Sequence, residues 1–143
     1  MKELNRQIFK DAFGITQDED FIHYRSADPQ QVSHYDNGEE EGPDPKNLRF
    51  DMRSLGRSLW NGQVIEILAD RFIDQAKEMP YVPQRPRKYV EQMILDKFNR
   101  CRMIWRSAQP KRSDTGDLET PEEVESRLNE SKEITLTRQR HTT

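Results

Sequence analysis

Lys97, Arg100, Arg102, Arg106, Lys111 and Arg112 place six cations within a stretch of sixteen residues. Guanidinium and ammonium groups at this density are suited to phosphate: they donate several hydrogen bonds, keep their charge at neutral pH and displace counterions from a nucleic-acid backbone. With Arg85, Arg87 and Lys88 the run reaches nine cations, opposed only by Glu91 and Asp96. On a helical projection Lys88, Arg102 and Arg106 fall to one side of an apolar stripe, and Lys97 and Arg100 to the other. Such a helix can turn its stripe inward and offer its cations to phosphates. The competing reading is that arginines beside a stripe snorkel, or pair with carboxylates of their own chain.

Other chemistry finds little material. His23, His34 and His141 lie far apart, none with a cysteine or second histidine at metal-ligand spacing, so no zinc site is expected. There is no glycine-rich phosphate loop, no His-Glu-x-x-His and no nucleophile elbow. The carboxylates sit in linkers and helix first turns, with little apolar material to line a pocket that would shift their pKa values. A non-enzymatic chain is expected, without cofactor or small-molecule substrate. Cys101 is the lone cysteine, on the apolar stripe, and is read as a small hydrophobe.

The cations need elements to position them. Val90, Ile94, Phe98, Cys101 and Trp105 recur at spacings of four, four, three and four, which predicts a helix from about Arg87 to Ser107, closed by Pro110. Before it, Val64, Ile65, Leu68, Phe72, Ile73 and Ala76 form one face of a second helix, with Asn61 as its cap, Trp60 as its staple and Pro80 as its end. Between the two, Pro80, Pro83 and Pro86 predict an extended polyproline connector. Its P-x-x-P-x-R pattern also fits peptides read by aromatic grooves, although a plain spacer explains the prolines as well. Thr120-Pro121-Glu122-Glu123 is a capping signature that predicts a third helix, with Val124, Leu128, Ile134 and Leu136 as sparse apolar anchors. It runs toward Arg138-Gln139-Arg140 without a stop signal, as expected of a piece of a longer polypeptide.

At the N-terminus Leu4, Ile8, Phe9, Ala12 and Phe13 predict a short helix ending at Gly14. Thr16 and Glu19 frame a further turn carrying Phe21, Ile22 and Tyr24. From Ser26 to Leu48 the chain is rich in breakers: Asp28-Pro29, Asn37-Gly38, Glu39-Glu40-Glu41-Gly42 and Pro43-Asp44-Pro45. It is read as an acidic flexible linker. The expected organisation is an N-terminal helical arm over 1–25, the linker over 26–48 and a helical module over 49–143: an all-α fold, a small bundle of about three main helices.

Composition agrees with a modest core. Hydrophobic residues make up 32% and charged residues 34% of the 143, and the mean hydropathy is −1.09. The net charge of −3 hides a division into −5 over residues 1–50, +6 over 51–112 and −4 over 113–143. A basic centre between acidic flanks can draw a polyanion or pair with its own flanks. No segment approaches the roughly 20 apolar residues of a membrane span, and Met1 to Arg6 lacks a signal peptide's apolar run. A soluble, unsecreted protein is expected.

Two resemblances follow from these residues. Trp60 with Ile65-Glu66-Ile67-Leu68, a spacer, then Lys97-Phe98 and Trp105-Arg106 resembles the first and last helices of Myb/SANT-like (trihelix) DNA-binding domains. The resemblance implies a core built on spaced tryptophans and a last helix on DNA. The proline connector stands where those domains have a middle helix, so no base-reading residue carries over. Lys97-Phe98 through Trp105-Arg106-Ser107-Ala108-Gln109-Pro110-Lys111, followed by Leu118 to Glu125, is similar to a segment of uncharacterised fungal proteins, some linked to mobile elements. The expected function is nucleic-acid binding, DNA above all, within a larger nuclear protein. The alternative is a protein–protein adaptor or homodimer in which Phe9, Phe13, Phe21 and the apolar edge of the third helix meet a partner.

Overall fold

The computed structural model describes residues 1–112 and 116–130, and all of their regular elements are helical. The first is α1, Lys2–Phe13, ended by Gly14 at φ 69°, whose N–H bonds the Lys10 carbonyl at 2.8 Å. That left-handed cap is where glycine costs least. A 3-10 turn follows over Asp18–His23. The expected Thr16–Glu19 box is shifted by one residue: Asp20 Oδ2 accepts from the Gln17 N–H at 3.2 Å and from the Thr16 hydroxyl at 3.0 Å.

The stretch 26–48 is not the flexible linker that its breakers imply. It contains α2, Pro29–Asp36, and buries Ala27, Val32 and Leu48 in the common core. Asp28-Pro29, read as a turn, is a helix start: the Asp28 carboxylate accepts from the Gln30 N–H at 3.1 Å, and proline takes the first helical position. Tyr35 then meets Trp60 edge to face at 5.7 Å. The segments around Tyr24–Ala27 and Leu48–Met52 lie side by side. Ala27 N–H bonds the Phe50 carbonyl, Phe50 N–H the Tyr24 hydroxyl, and Met52 N–H the Ser26 hydroxyl.

Two long helices organise the rest: α3, Leu59–Lys77, and α4, Arg87–Ser107. The α4 stripe is buried at every position from Val90 to Trp105. The α3 face is buried at Val64, Ile65, Leu68, Phe72 and Ala76, with Ile73 partly covered. Phe50 stacks at 4.5 Å on Phe98, so the N-terminal segments and α4 share one core. Of the three aromatic residues in the adaptor expectation, Phe9 and Phe21 are buried in that core and Phe13 is partly buried against it. The connector is not wholly extended either, since Val82 N–H bonds the Met79 carbonyl in a turn and Val82 is buried. A last helix, α5, covers residues 121–130, with Glu123 N–H bonding Thr120 Oγ1 as the capping signature requires. Its expected anchors Ile134 and Leu136, and the Arg138–Arg140 run, lie outside the described residues.

Asn61 does not cap α3. Ser58 does, its hydroxyl accepting from the Asn61 N–H at 3.2 Å. The Asn61 side chain is fully buried and clamps the preceding loop. Its Oδ1 accepts from Asp51 N–H at 2.7 Å, and its Nδ2 donates to the carbonyls of Asp51 at 2.8 Å and Leu55 at 3.0 Å. Replacing Asn61 with alanine would leave the buried Asp51 N–H unpaired and take one of two donors from each of the Asp51 and Leu55 carbonyls, which keep the Ser54 and Ser58 N–H groups. We expect a loss of about 3 kcal/mol or more in urea unfolding, against about 1 kcal/mol for Ser58→Ala, which removes only a cap.

Candidate nucleic-acid interface

The buried stripe fixes the rotation of α4, and each cation is placed accordingly. Lys97, expected at a phosphate, is instead turned into the protein. Its side chain is 11% exposed, with Nζ 2.6 Å from Asp18 Oδ1 and 5.1 Å from the centre of the Phe9 ring. Asp18 arrives on the 3-10 turn, 79 residues away in sequence, and no local pattern could have paired the two. Arg100 lies on the same flank, its Nε 3.7 Å from Asp18 Oδ2, but its side chain stays 59% exposed. Cys101 bonds the same carboxylate through Sγ at 3.8 Å. Burial first, then the Asp18 charge, push its thiol up to about 12, so it stays protonated as a core residue.

The opposite flank differs. Arg106 is exposed, and no ion pair engages it or Arg102 among the described residues. The Arg102 Nε is buried without an acceptor. Between them Trp105 is held by a 2.9 Å bond from its indole N–H to the Tyr24 carbonyl. The guanidinium of Arg53 lies over the indole, 5.6 Å from the ring centre. Arg49 follows, donating to the Arg25 carbonyl at 3.3 Å. Arg25, Arg49 and Arg53 also have no carboxylate partner among the described residues. Sequence reasoning missed these three because they sit on irregular segments, brought to α4 only by the pairing of Tyr24–Ala27 with Leu48–Met52.

Lys111 and Arg112 are both exposed, on a turn folded back beneath α4. Lys111 and Glu119 exchange two contacts of 2.8 Å, and Arg112 donates to the Gly116 carbonyl at 2.9 Å. Arg127 on α5 fastens the turn. It grips both oxygens of Glu119, at 3.0 and 3.1 Å, and donates to the Ser107 carbonyl at 2.6 Å and the Gln109 carbonyl at 3.3 Å. The Arg127 hydrogen bond, then the Lys111 N–H, hold the Glu119 carboxyl below its usual range. Arg127 is thus engaged at the C-terminal end of α4, and among the described residues the exposed charges of this turn are Lys111, Arg112 and Asp117.

Of the six expected contacts, then, Arg102, Arg106, Lys111 and Arg112 cluster at the C-terminal end of α4, Arg100 stands on the far flank, and Lys97 is internal. Among the described residues no helix is long and apolar enough to cross a membrane. Comparisons with family models, curated proteins and solved structures returned no match.

Asp18 gives the site a titration. Burial works against its charged form, but the Lys97 hydrogen bond and the charges of Lys97 and Arg100 outweigh it, so its pKa is lowered. A lowered folded-state pKa contributes stability above the unfolded value of about 3.9, and that share is lost as pH falls through the folded value. Urea midpoints followed from pH 6 down to about 2.5 should therefore decline on the acid side of about pH 4. In Asp18→Asn the decline should be shallower, from a lower starting stability because Lys97 has lost its partner.

Proposed function

We propose that this chain is a non-enzymatic helical module that binds nucleic acid, duplex DNA first among them, through the C-terminal half of α4 and the arginines around Trp105. It would act within a larger protein of the nucleus, the compartment where such a ligand is held. What carries the reading is the contrast between the two flanks of α4. On one, Lys97 is neutralised by Asp18 at 2.6 Å; on the other, Arg53 lies over Trp105, and neither it nor Arg102 or Arg106 makes an ion pair among the described residues. Guanidiniums left unpaired beside one another repel, and an outside polyanion relieves that repulsion.

The chemistry suits binding rather than turnover. Guanidiniums hold their charge at any working pH and do not carry protons, so they serve as fixed points for phosphate oxygens. Trp105, 7% exposed with its N–H already bonded, is a support for Arg53 and not a stacking platform for bases. Contacts of this kind position a protein along the backbone.

The test is the salt dependence of binding to a random duplex. Arg53→Gln with Arg106→Gln removes two exposed charges without opening the core. It should weaken binding and flatten the slope of log affinity against log salt by about one unit per lost phosphate contact. Lys97→Met should leave that slope unchanged, because its charge already belongs to Asp18. A duplex affinity indifferent both to salt and to the two arginines would reject the proposal.

A further inference from the structure

The loop between Asp51 and Ser58 presents three side chains to solvent in alternation: Arg53, Leu55 and Arg57. Both arginines are exposed, and Leu55 is 69% exposed. A single exposed leucine is ordinary in a soluble protein. The way this one is held is not. Beneath it Asn61 bonds the backbone of Asp51 and Leu55. The buried Asp51 carboxylate accepts from the Arg53 N–H at 3.2 Å and from the Ser54 hydroxyl at 2.5 Å. Ser58 N–H closes the turn on the Leu55 carbonyl at 3.1 Å. Gly56 lets the loop lie directly on α4, where a Cβ would stand 2.2 Å from Leu95 Cδ1 and 3.1 Å from the Phe98 ring.

So the backbone is fixed from below while Arg53, its guanidinium over the Trp105 ring, and Arg57 make no ion pair among the described residues. A loop set in place before binding loses little conformational freedom when its ligand arrives. An apolar side chain flanked by two unpaired guanidiniums fits a ligand with anionic edges and an apolar interior. In a DNA duplex these are the phosphates and the stacked bases between them.

We infer that this loop is a minor-groove wedge: Leu55 enters a base step while Arg53 and Arg57 hold the phosphates on either side, and the duplex is bent away from the protein. The inference rests on the nucleic-acid reading above and names how that site would engage its ligand. The dimensions agree. Four residue steps reach at most about 13 Å, enough for the arginines to straddle a minor groove about 6 Å wide with the leucine between them. Partial unstacking by leucine is an established way for side chains to kink DNA, and flexible TA and CA steps yield most readily.

The experiment uses the full chain and a short duplex with a central TA step, end-labelled with a donor and an acceptor dye. Energy transfer reports bending, and anisotropy at two salt concentrations reports affinity. The native chain should raise transfer on binding. Leu55→Ala, at a position that contributes nothing to the core, should keep the salt slope and lose both the bend and on the order of tenfold in affinity, the scale of one buried leucine. Salt-dependent binding without a bend, or a bend that survives Leu55→Ala, overturns the wedge and leaves the nucleic-acid reading standing. Absence of salt-dependent binding overturns both. Sedimentation showing a dimer that Leu55→Ala dissolves would also overturn the wedge, because the leucine would then be covered by a second copy.

Discussion

The rotation of α4 about its own axis is the constraint on which the rest of this structure depends. Burying a large apolar side chain contributes about 1.5–3 kcal/mol, whereas an exposed ion pair contributes about 0–1 kcal/mol. Val90, Ile94, Phe98, Cys101 and Trp105 therefore decide which way the helix faces, and the charges take the positions left over. Once Phe98 packs on Phe50 and the Trp105 indole bonds the Tyr24 carbonyl, Lys97 must point toward the 3-10 turn, and Arg102 and Arg106 fall on the opposite flank of the stripe. The N-terminal segments complete this arrangement as well as receive it. They supply Asp18 for one flank and the Tyr24 carbonyl for the other.

The sequence is legible where one period dominates and opaque where two distant segments meet. The bounds of α4 agree with expectation because its stripe is unbroken and Pro110 stands beyond its end. The start of α3 differs from expectation for a physical reason: asparagine before an apolar run is a good cap, but it is also one of the few side chains able to satisfy a loop's N–H and carbonyls together. Only the packing of Trp60 into the core, and the return of residues 49–55 against α3, turns Asn61 toward the loop. The 26–48 stretch departs from its breakers for another reason. Its turn signals are real, yet one of them, Asp28-Pro29, has the composition of a helix start, and buried Val32 together with Tyr35 against Trp60 seats the eight residues of helix.

The site shows the same division. That the α4 cations flank the stripe on two sides followed from the periodicity. Which flank would be neutralised did not, because Asp18 and Lys97 are remote in sequence and the overall charge of the N-terminal segment gives no address for its acids. The acidic flanks pair with the basic centre selectively. Asp18 engages Lys97, while Arg87 draws its partners from the centre itself, Asp70 at 2.6 Å and Glu91 at 2.9 Å. Self-pairing is thus realised at Arg87 and Lys97, while Arg102 and Arg106 of the same helix make no ion pair among the described residues.

What separates the positions is the availability of carboxylates, and here Asp51 decides. It is the only acid between residues 49 and 65, within reach of Arg49, Arg53 and Arg57 along the chain. Its oxygens are occupied by the Ser54 hydroxyl and the Arg53 N–H, and the residue is 4% exposed. A carboxylate used inward to hold a loop cannot also neutralise the guanidiniums that the loop carries. The same bonds that fix the backbone of residues 51–58 therefore leave its arginines without an internal partner, and order and unpaired charge arise there from one cause. Elsewhere on α4, Arg87 and Lys97 meet acids on neighbouring elements, Asp70 and Asp18. Around Trp105 the neighbouring element brings only more arginine, so that edge stays positive without any long-range design beyond the placement of one buried aspartate.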